Sequence, residues 1–303
     1  MRPIILKGHT RPLTCVKYNR DGDLLFSSSK DNVPTVWRTE DGKRLGTYDG
    51  HKGTVWHLDA TSDSKYLLTG GADMTVKMWE VQTGKMLHEI AMPGPVRQVE
   101  WAEGNKFFFA HCDPFRGSRS QLKIFDVDYD DMAKAPVERT VWVGLGVPEG
   151  KKVNKATWMP LNKCILLGDE FGKIRVYDVA TGKIVADFAA HKKKINSLQW
   201  NKEKTLLVTG SADCTSKVFD VSDFSHLKTY QTQVPVNSAA ISPIKEHVLV
   251  AGGQEAMNVT TTSARAGKFE TKFFHLVFEE EFGSVKGHFG PVNSLAIHPD
   301  GTG

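Results

Sequence analysis

Apolar and polar residues alternate in short runs along most of the chain. Val76 and Met78 are interleaved with Lys77 and Glu80, and Ile174 and Val176 with Arg175 and Tyr177, the period of two expected when one face of a strand meets a core. Glycine turns separate the runs: Arg20-Asp21-Gly22, Glu40-Asp41-Gly42, Gln82-Thr83-Gly84, Ala180-Thr181-Gly182 and Pro299-Asp300-Gly301. Glycine there supplies the positive φ that tight hairpins require. The pattern predicts an all-β chain of short antiparallel strands.

A repeat organises these strands. His9, His51, His191 and His288 stand four residues before Leu13, Val55, Ile195 and Val292, and comparable starts occur at Val96, Val153 and Val236. The seven anchors are separated by 42, 41, 57, 42, 41 and 56 residues, so repeat units begin near residues 9, 51, 92, 149, 191, 232 and 288 of one domain spanning 1–303. Within units the spacing is tighter. His9 to Asp31, His51 to Asp73 and His191 to Asp213 each span 22 residues, and Trp37, Trp79 or Phe219 follows each Asp by six. Two further units end in Phe125-Asp126 and Tyr177-Asp178.

This resembles the WD-repeat pattern and implies a seven-bladed WD40 β-propeller with four strands per blade. Thin sheets of this kind bury their faces only by stacking on neighbours. The family also implies hydrogen-bonded tetrads: His9, Ser27, Asp31 and Trp37 in the first unit, and His51, Thr69, Asp73 and Trp79 in the second. The fifth keeps His191, Thr209 and Asp213 but has Phe219 for the tryptophan. The third, fourth and sixth depart further, with Phe171 where an Asp is expected. The seventh blade is expected to be incomplete, stopping after Val292–His298 and the turn at Asp300-Gly301, with Ile4–Lys7 as its outer strand. Extra length at 113–120 and 126–152 is expected to form surface loops.

Composition narrows the function classes. No run of 18 apolar residues occurs, and the opening Ile4-Ile5-Leu6 ends at Lys7, which excludes a membrane span and a signal-peptide core and points to the cytoplasm. Cys15, Cys112, Cys164 and Cys214 are scattered without CxxC or Cys/His ligand spacing, so neither zinc site nor disulfide framework is expected. There is no P-loop, HExxH or GxSxG. Gly144-Leu145-Gly146 reads as a loop, and the Asn258 sequon as a chance match. The chain is therefore expected to have no catalytic residues, cofactor or metal, and to bind other proteins. Its net charge of +4 permits only a weak RNA reading through Arg11, Lys52 and Lys192–Lys194, because acidic runs at 128–131 and 279–281 oppose it.

The segment Gly252–Thr262 replaces the Asp turn of an ordinary unit. With Gly267-Lys268-Phe269-Glu270, Phe273-Phe274-His275 and Phe278–Gly283, it resembles the sixth-blade region of the WD-repeat i-subunit family of eukaryotic translation initiation factor three. Tyr18-Asn19, Gly22–Phe26, Arg44–Tyr48, Val236–Ala239 and Lys286–Pro291 carry the likeness along the chain, while Asn258 departs from the acidic residue expected there. The resemblance implies a non-enzymatic scaffold supporting mRNA recruitment and scanning. It also implies association with the b subunit's C-terminal segment, with the g subunit's N-terminal segment, and with the small ribosomal subunit through the complex. Candidate partner-binding residues are Asp213, Asp220, Asp223, Gln254 and Glu255. A cytoplasmic WD-repeat signalling adaptor is the alternative, which would lack the sixth-unit likeness.

Overall fold

The computed structural model describes residues 4–253, 269–288 and 290–301. Its strands form six four-stranded antiparallel meanders. Sheet one is β1 (Leu13–Tyr18), β2 (Leu24–Ser29), β3 (Thr35–Arg38) and β4 (Arg44–Thr47). Sheet two is β5 (Val55–Ala60), β6 (Tyr66–Gly71), β7 (Thr75–Glu80) and β8 (Met86–Ala91). Sheet three is β9 (Val96–Trp101), β10 (Phe107–Cys112), β11 (Gln121–Asp126) and β12 (Val137–Val143). Sheet four is β13 (Val153–Trp158), β14 (Cys164–Asp169), β15 (Lys173–Asp178) and β16 (Ile184–Ala189). Sheet five is β17 (Ile195–Trp200), β18 (Leu206–Ser211), β19 (Thr215–Asp220) and β20 (His226–Gln231). Sheet six is β21 (Val236–Ile241), β22 (His247–Gly252), β23 (Glu270–His275) and β24 (Glu281–Lys286). Two compact units divide the chain. Sheets one to three lie in the first, and sheets five and six lie in the second with all of sheet four's strand residues except Val153 and Cys164.

Six of the anchors, Leu13, Val55, Val96, Val153, Ile195 and Val236, are the first residues of β1, β5, β9, β13, β17 and β21. The seventh is not. The expected seven blades are corrected to six four-stranded sheets among the described residues, because 290–301 contain no strand. Sheet one takes Leu13 to Thr47 to complete four strands, whereas the described residues end at Gly301, nine past Val292. Val292 is nevertheless held as an anchor. Asn237 Nδ2 donates to its carbonyl at 3.2 Å, repeating Asn196 to Val236 at 2.8 Å and Thr14 Oγ1 to Val55 at 2.5 Å. Ile4 to Lys7 form no strand either. The side chains of Ile4 and Leu6 lie over the Gly42 turn of sheet one instead, within 2.8 Å of where a Cβ on Gly42 would stand. The extra length at 126–152 is more than surface loop. It contains β12, and Met132, Leu145 and Val147 are buried.

The outer strand of each sheet is the exposed one, while the second is buried along most of its length. Expected alternation fails on the third strand, where Val76, Lys77, Met78 and Trp79 are all buried. Both faces of that strand are covered, so Lys77 stays inside by pairing with Glu89 of β8. In every sheet the residue just past a register shift between third and fourth strands is aromatic: Trp37, Trp79, Phe125, Tyr177, Phe219 or Phe274. Such a bulge twists the ladder and re-aims one side chain. In sheets two and six a ring from the end of the preceding sheet's outer strand packs on it. Tyr48 lies 5.8 Å from Trp79 in the first unit, and Tyr230 lies 5.4 Å from Phe274 in the second.

Candidate functional site

Two tetrads close as complete hydrogen-bonded chains. In sheet one, Trp37 Nε1 donates to Ser27 Oγ at 2.7 Å, Ser27 Oγ lies 2.7 Å from His9 Nε2, and His9 Nδ1 lies 2.8 Å from Asp31 Oδ2. Sheet two repeats this, with Trp79 to Thr69 at 2.8 Å, Thr69 to His51 at 2.7 Å and His51 to Asp73 at 2.8 Å. A carboxylate only accepts, so the Nδ1 hydrogen points to Asp. The Nε2 lone pair then takes the hydroxyl hydrogen, and the hydroxyl oxygen takes the indole N–H. Every donor is used once. The carboxylates also accept from the backbone amides of Thr10 and Lys52.

Glycine before His9 and His51 is a packing requirement. A Cβ on Gly8 would stand 2.7 Å from the Trp37 ring, and one on Gly50 would stand 3.0 Å from the Trp79 ring. Burial opposes the charge on Asp31 and Asp73, but hydrogen bonds from the histidines and amides outweigh it and hold both carboxyls below their usual range.

The fifth unit keeps three members. His191 lies 2.7 Å from Thr209 and 3.0 Å from Asp213, while the Phe219 ring packs on Phe188 at 5.6 Å. In sheet three the set is replaced together: Met92, Ala110 and Phe125, all buried in one apolar cluster, stand at the histidine, hydroxyl and tryptophan positions. Sheet six places buried Val250 and Phe274 at the hydroxyl and tryptophan positions.

Sequence spacing missed the polar groups of sheets three and four. Phe171 does stand in the sheet-four turn, but the carboxylate is supplied two residues earlier by fully buried Asp169. It accepts from the amides of Phe171 and Lys173 at 2.8 and 2.9 Å and from Arg175 Nη1 at 2.8 Å. An arginine at the strand position of Lys77 and Lys217 was the available signal. In sheet three, buried Asp113 pairs with Arg97 and lies 3.5 Å from Lys152. His111 beside it is fully buried, with Nε2 2.9 Å from Ser120 Oγ.

Burial pushes the His111 imidazole down to about 4, with Arg97 adding to the effect and Asp113 opposing it. Burial also lowers His191, against Asp213. Unfolded histidines titrate near 6.5, so this stability is complete above that pH and is lost as the pH falls toward the folded values. The depressed Asp31, Asp73 and Asp213 carboxyls add a second loss below about pH 4. Urea midpoints should therefore drop between neutral pH and about pH 4.5, and His111→Gln should flatten that drop. An equal pH slope in the variant would contradict it.

The five candidate partner-binding residues are not one cluster. Asp213 lies in the β18–β19 turn, where its carboxylate accepts from the Lys192 amide at 3.0 Å and pairs with His191. Asp220 and Asp223 lie at the opposite end of sheet five. There Asp220 accepts from the Ser222 amide at 2.7 Å, and Asp223 from the Ser225 amide at 2.8 Å. Gln254 and Glu255 lie outside the described residues, as does Asn258. Cys15 and Cys112 are buried, Cys164 and Cys214 are partly so, and all four are free thiols. Among the described residues no group of three or more His, Cys, Asp or Glu is placed to hold a metal ion. No helix among them is long and apolar enough to cross a membrane.

Four-stranded meanders joined by histidine loops, with a hydroxyl, an aspartate and a tryptophan at fixed offsets, define a WD-repeat protein. A family model described as EIF3I matches residues 1–303. Eukaryotic translation initiation factor 3 subunit I of Drosophila grimshawi is 48% identical, aligned over 99% of this chain and 92% of that protein. The proteins of the same description from Nematostella vectensis and Xenopus tropicalis are 47% and 46% identical, each over 99% of this chain and 91% of their own length. The chain belongs to the eukaryotic translation initiation factor 3 subunit I family.

Proposed function

We propose that the chain is a non-catalytic, protein-binding subunit of eukaryotic translation initiation factor 3, acting in the cytoplasm as one WD-repeat domain across 1–303. It takes the C-terminal segment of the b subunit and an N-terminal segment of the g subunit, meets the small ribosomal subunit through the complex, and so supports mRNA recruitment and scanning. The match of all 303 residues to one family carries this reading. Sheets with buried inner strands and varied loops suit the simultaneous binding of several segments.

Sheets five and six are the proposed seat of the b-subunit segment. Leu227, Phe278 and Phe282 are 44, 68 and 54% exposed, and the rings of His275 and His247 pack against Phe278 and Phe282 at 4.6 Å. This supports an apolar contact rimmed by Asp220 and Asp223. Asp213 supports the turn, and Gln254 and Glu255 extend the proposal beyond the described residues. The check is a titration of the b-subunit segment against Asp220→Ala, Asp223→Ala and Phe282→Ala. Losses of about tenfold or more are expected, against little change for Ser62→Ala and Lys65→Ala in sheet two, each protein first being shown to be folded. An equal loss from the sheet-two pair would overturn the placement. Mass spectrometry of a native pull-down that recovered signalling proteins and no initiation-factor subunits would overturn the function.

A further inference from the structure

Each meander puts its loops at two ends, and in the first unit those ends can be told apart. The loops joining first and second strands are tied to one another: Asn19 Nδ2 donates to Ser64 Oγ at 2.9 Å, and the Ser62 amide to Asn105 Oδ1 at 3.2 Å. The histidine loops, the turns joining second and third strands, and the long connections 113–120 and 144–152 therefore share the other end. Contacts among them agree. Asp113 meets Lys152, Arg119 lies 3.8 Å from Glu149, and Ser118 Oγ donates to the Pro93 carbonyl at 3.5 Å.

Charge is divided between these ends. Loops at the histidine end, from Lys7 to Lys152, hold eight basic and five acidic residues, whereas loops at the opposite end hold six basic and nine acidic. The imbalance at the surface is steeper than the count. Asp31, Asp73 and Asp113 turn inward to His9, His51 and Arg97, which leaves Asp49 and Glu149 as the exposed acids of that end. Arg11, Lys30, Lys52, Arg116, Arg119 and Lys151 are all exposed there. Two aromatic rings sit among the cations, with Arg116 over Phe115 at 5.1 Å and Arg97 over Trp56 at 4.5 Å.

We propose that the histidine end of the first unit is a docking surface for the phosphate backbone of single-stranded RNA. A surface rich in guanidinium suits bidentate phosphate contacts, and cations interleaved with rings are what single-stranded nucleic acid engages. The choice of RNA over an acidic peptide rests on the reading as an initiation-factor subunit. The charge asymmetry itself does not. Arg11 and Lys52 were picked out in the sequence but set against the acidic run 128–131, which the fold carries to the opposite end.

The test is fluorescence anisotropy of a labelled oligouridine about twenty nucleotides long with the 303-residue chain. Neutralising roughly four phosphates gives a slope near −3 in log affinity against log salt, so raising salt from about 50 to about 200 mM should weaken binding roughly fiftyfold. The triple variant Lys52→Glu/Arg116→Glu/Arg119→Glu should lose about tenfold or more at the lower salt. Its control, Lys43→Glu/Lys65→Glu/Lys85→Glu at the opposite end, should stay within about twofold. Arg116→Glu alone, on an exposed loop, should lose a measurable part of the same effect and guards against a misfolded triple. Absence of binding at low salt, a flat salt response, or equal losses from the two triples would overturn the proposal. So would polyglutamate displacing the RNA as strongly as unlabelled oligouridine does, which would mark the surface as one for acidic peptides. Titration of the b-subunit segment against the same variants separates the two readings. Retained capture with lost RNA affinity leaves the assembly role intact, and lost capture by the wild-type chain counts against that role alone.

Discussion

Trp79→Ala lowers unfolding free energy by about 3 to 5 kcal/mol, and by more per unit of buried area than Phe125→Ala. Both rings are buried at the same place in their sheets, so the large term, loss of a close-packed aromatic, is common to them. The difference is chemical. Phe125 sits in a cluster whose neighbours at the matching positions, Met92 and Ala110, ask for no hydrogen bond. Removing Trp79 takes a donor from Thr69, exposes the His51 network to a cavity, and withdraws the ring on which Tyr48 packs. Trp79→Phe separates the terms. It keeps most of the ring and should cost about 1 to 2 kcal/mol, since sheet five already combines a phenylalanine with an intact His191, Thr209 and Asp213 trio. Urea denaturation of the three variants is the measurement, and equal area-corrected losses for Trp79→Ala and Phe125→Ala would mean that the network adds nothing.

Asp169→Ala should be as damaging, at about 3 to 5 kcal/mol, because removing one member of a buried pair strands the other charge. Arg175 is only 7% exposed at its side chain, and its remaining carboxylate neighbour, Asp187, stands 3.9 Å away. The amides of Phe171 in the turn and Lys173 at the start of β15 lose this acceptor as well. Sheet five uses Ser211 and Lys217 at the same two strand positions. The double variant Asp169→Ser/Arg175→Lys should therefore recover much of the loss, which thermal melts can read. A single-variant loss under about 1 kcal/mol would instead place the pair among those contributing little net stability.

The strand starts were legible because one apolar residue, such as Val55 or Ile195, begins each first strand at a fixed distance from its histidine loop. The tetrads were legible for a related reason: a hydrogen bond across two strands demands constant offsets, and His51, Thr69, Asp73 and Trp79 obey them. Asp169 breaks that constancy. It delivers its carboxylate from the end of β14 and not from the turn, so a search at the turn position found Phe171. Val292 misled in the opposite direction. Its side of the bargain with Asn237 is kept, but a strand needs neighbours for its own amides and carbonyls, and periodicity in side chains does not count neighbours. Burial of Lys77 and Arg175 was likewise unreadable from alternation, because the pattern describes one covered face and these strands have two.

The wholesale exchange of polar for apolar members in sheet three constrains how such a protein can evolve. Phe125→Trp alone would bury an indole N–H against Ala110, and Ala110→Thr alone would bury a hydroxyl among hydrocarbon, each an uncompensated step. Neither intermediate is favourable, although the fully polar end state is the one sheets one and two already occupy. Individual substitutions at these positions should therefore show sign epistasis, and sheets should drift from one state to the other only through rare compound changes or by copying a whole repeat. The six meanders among the described residues are then better regarded as alleles of a few internally consistent cores than as graded degenerations of one consensus.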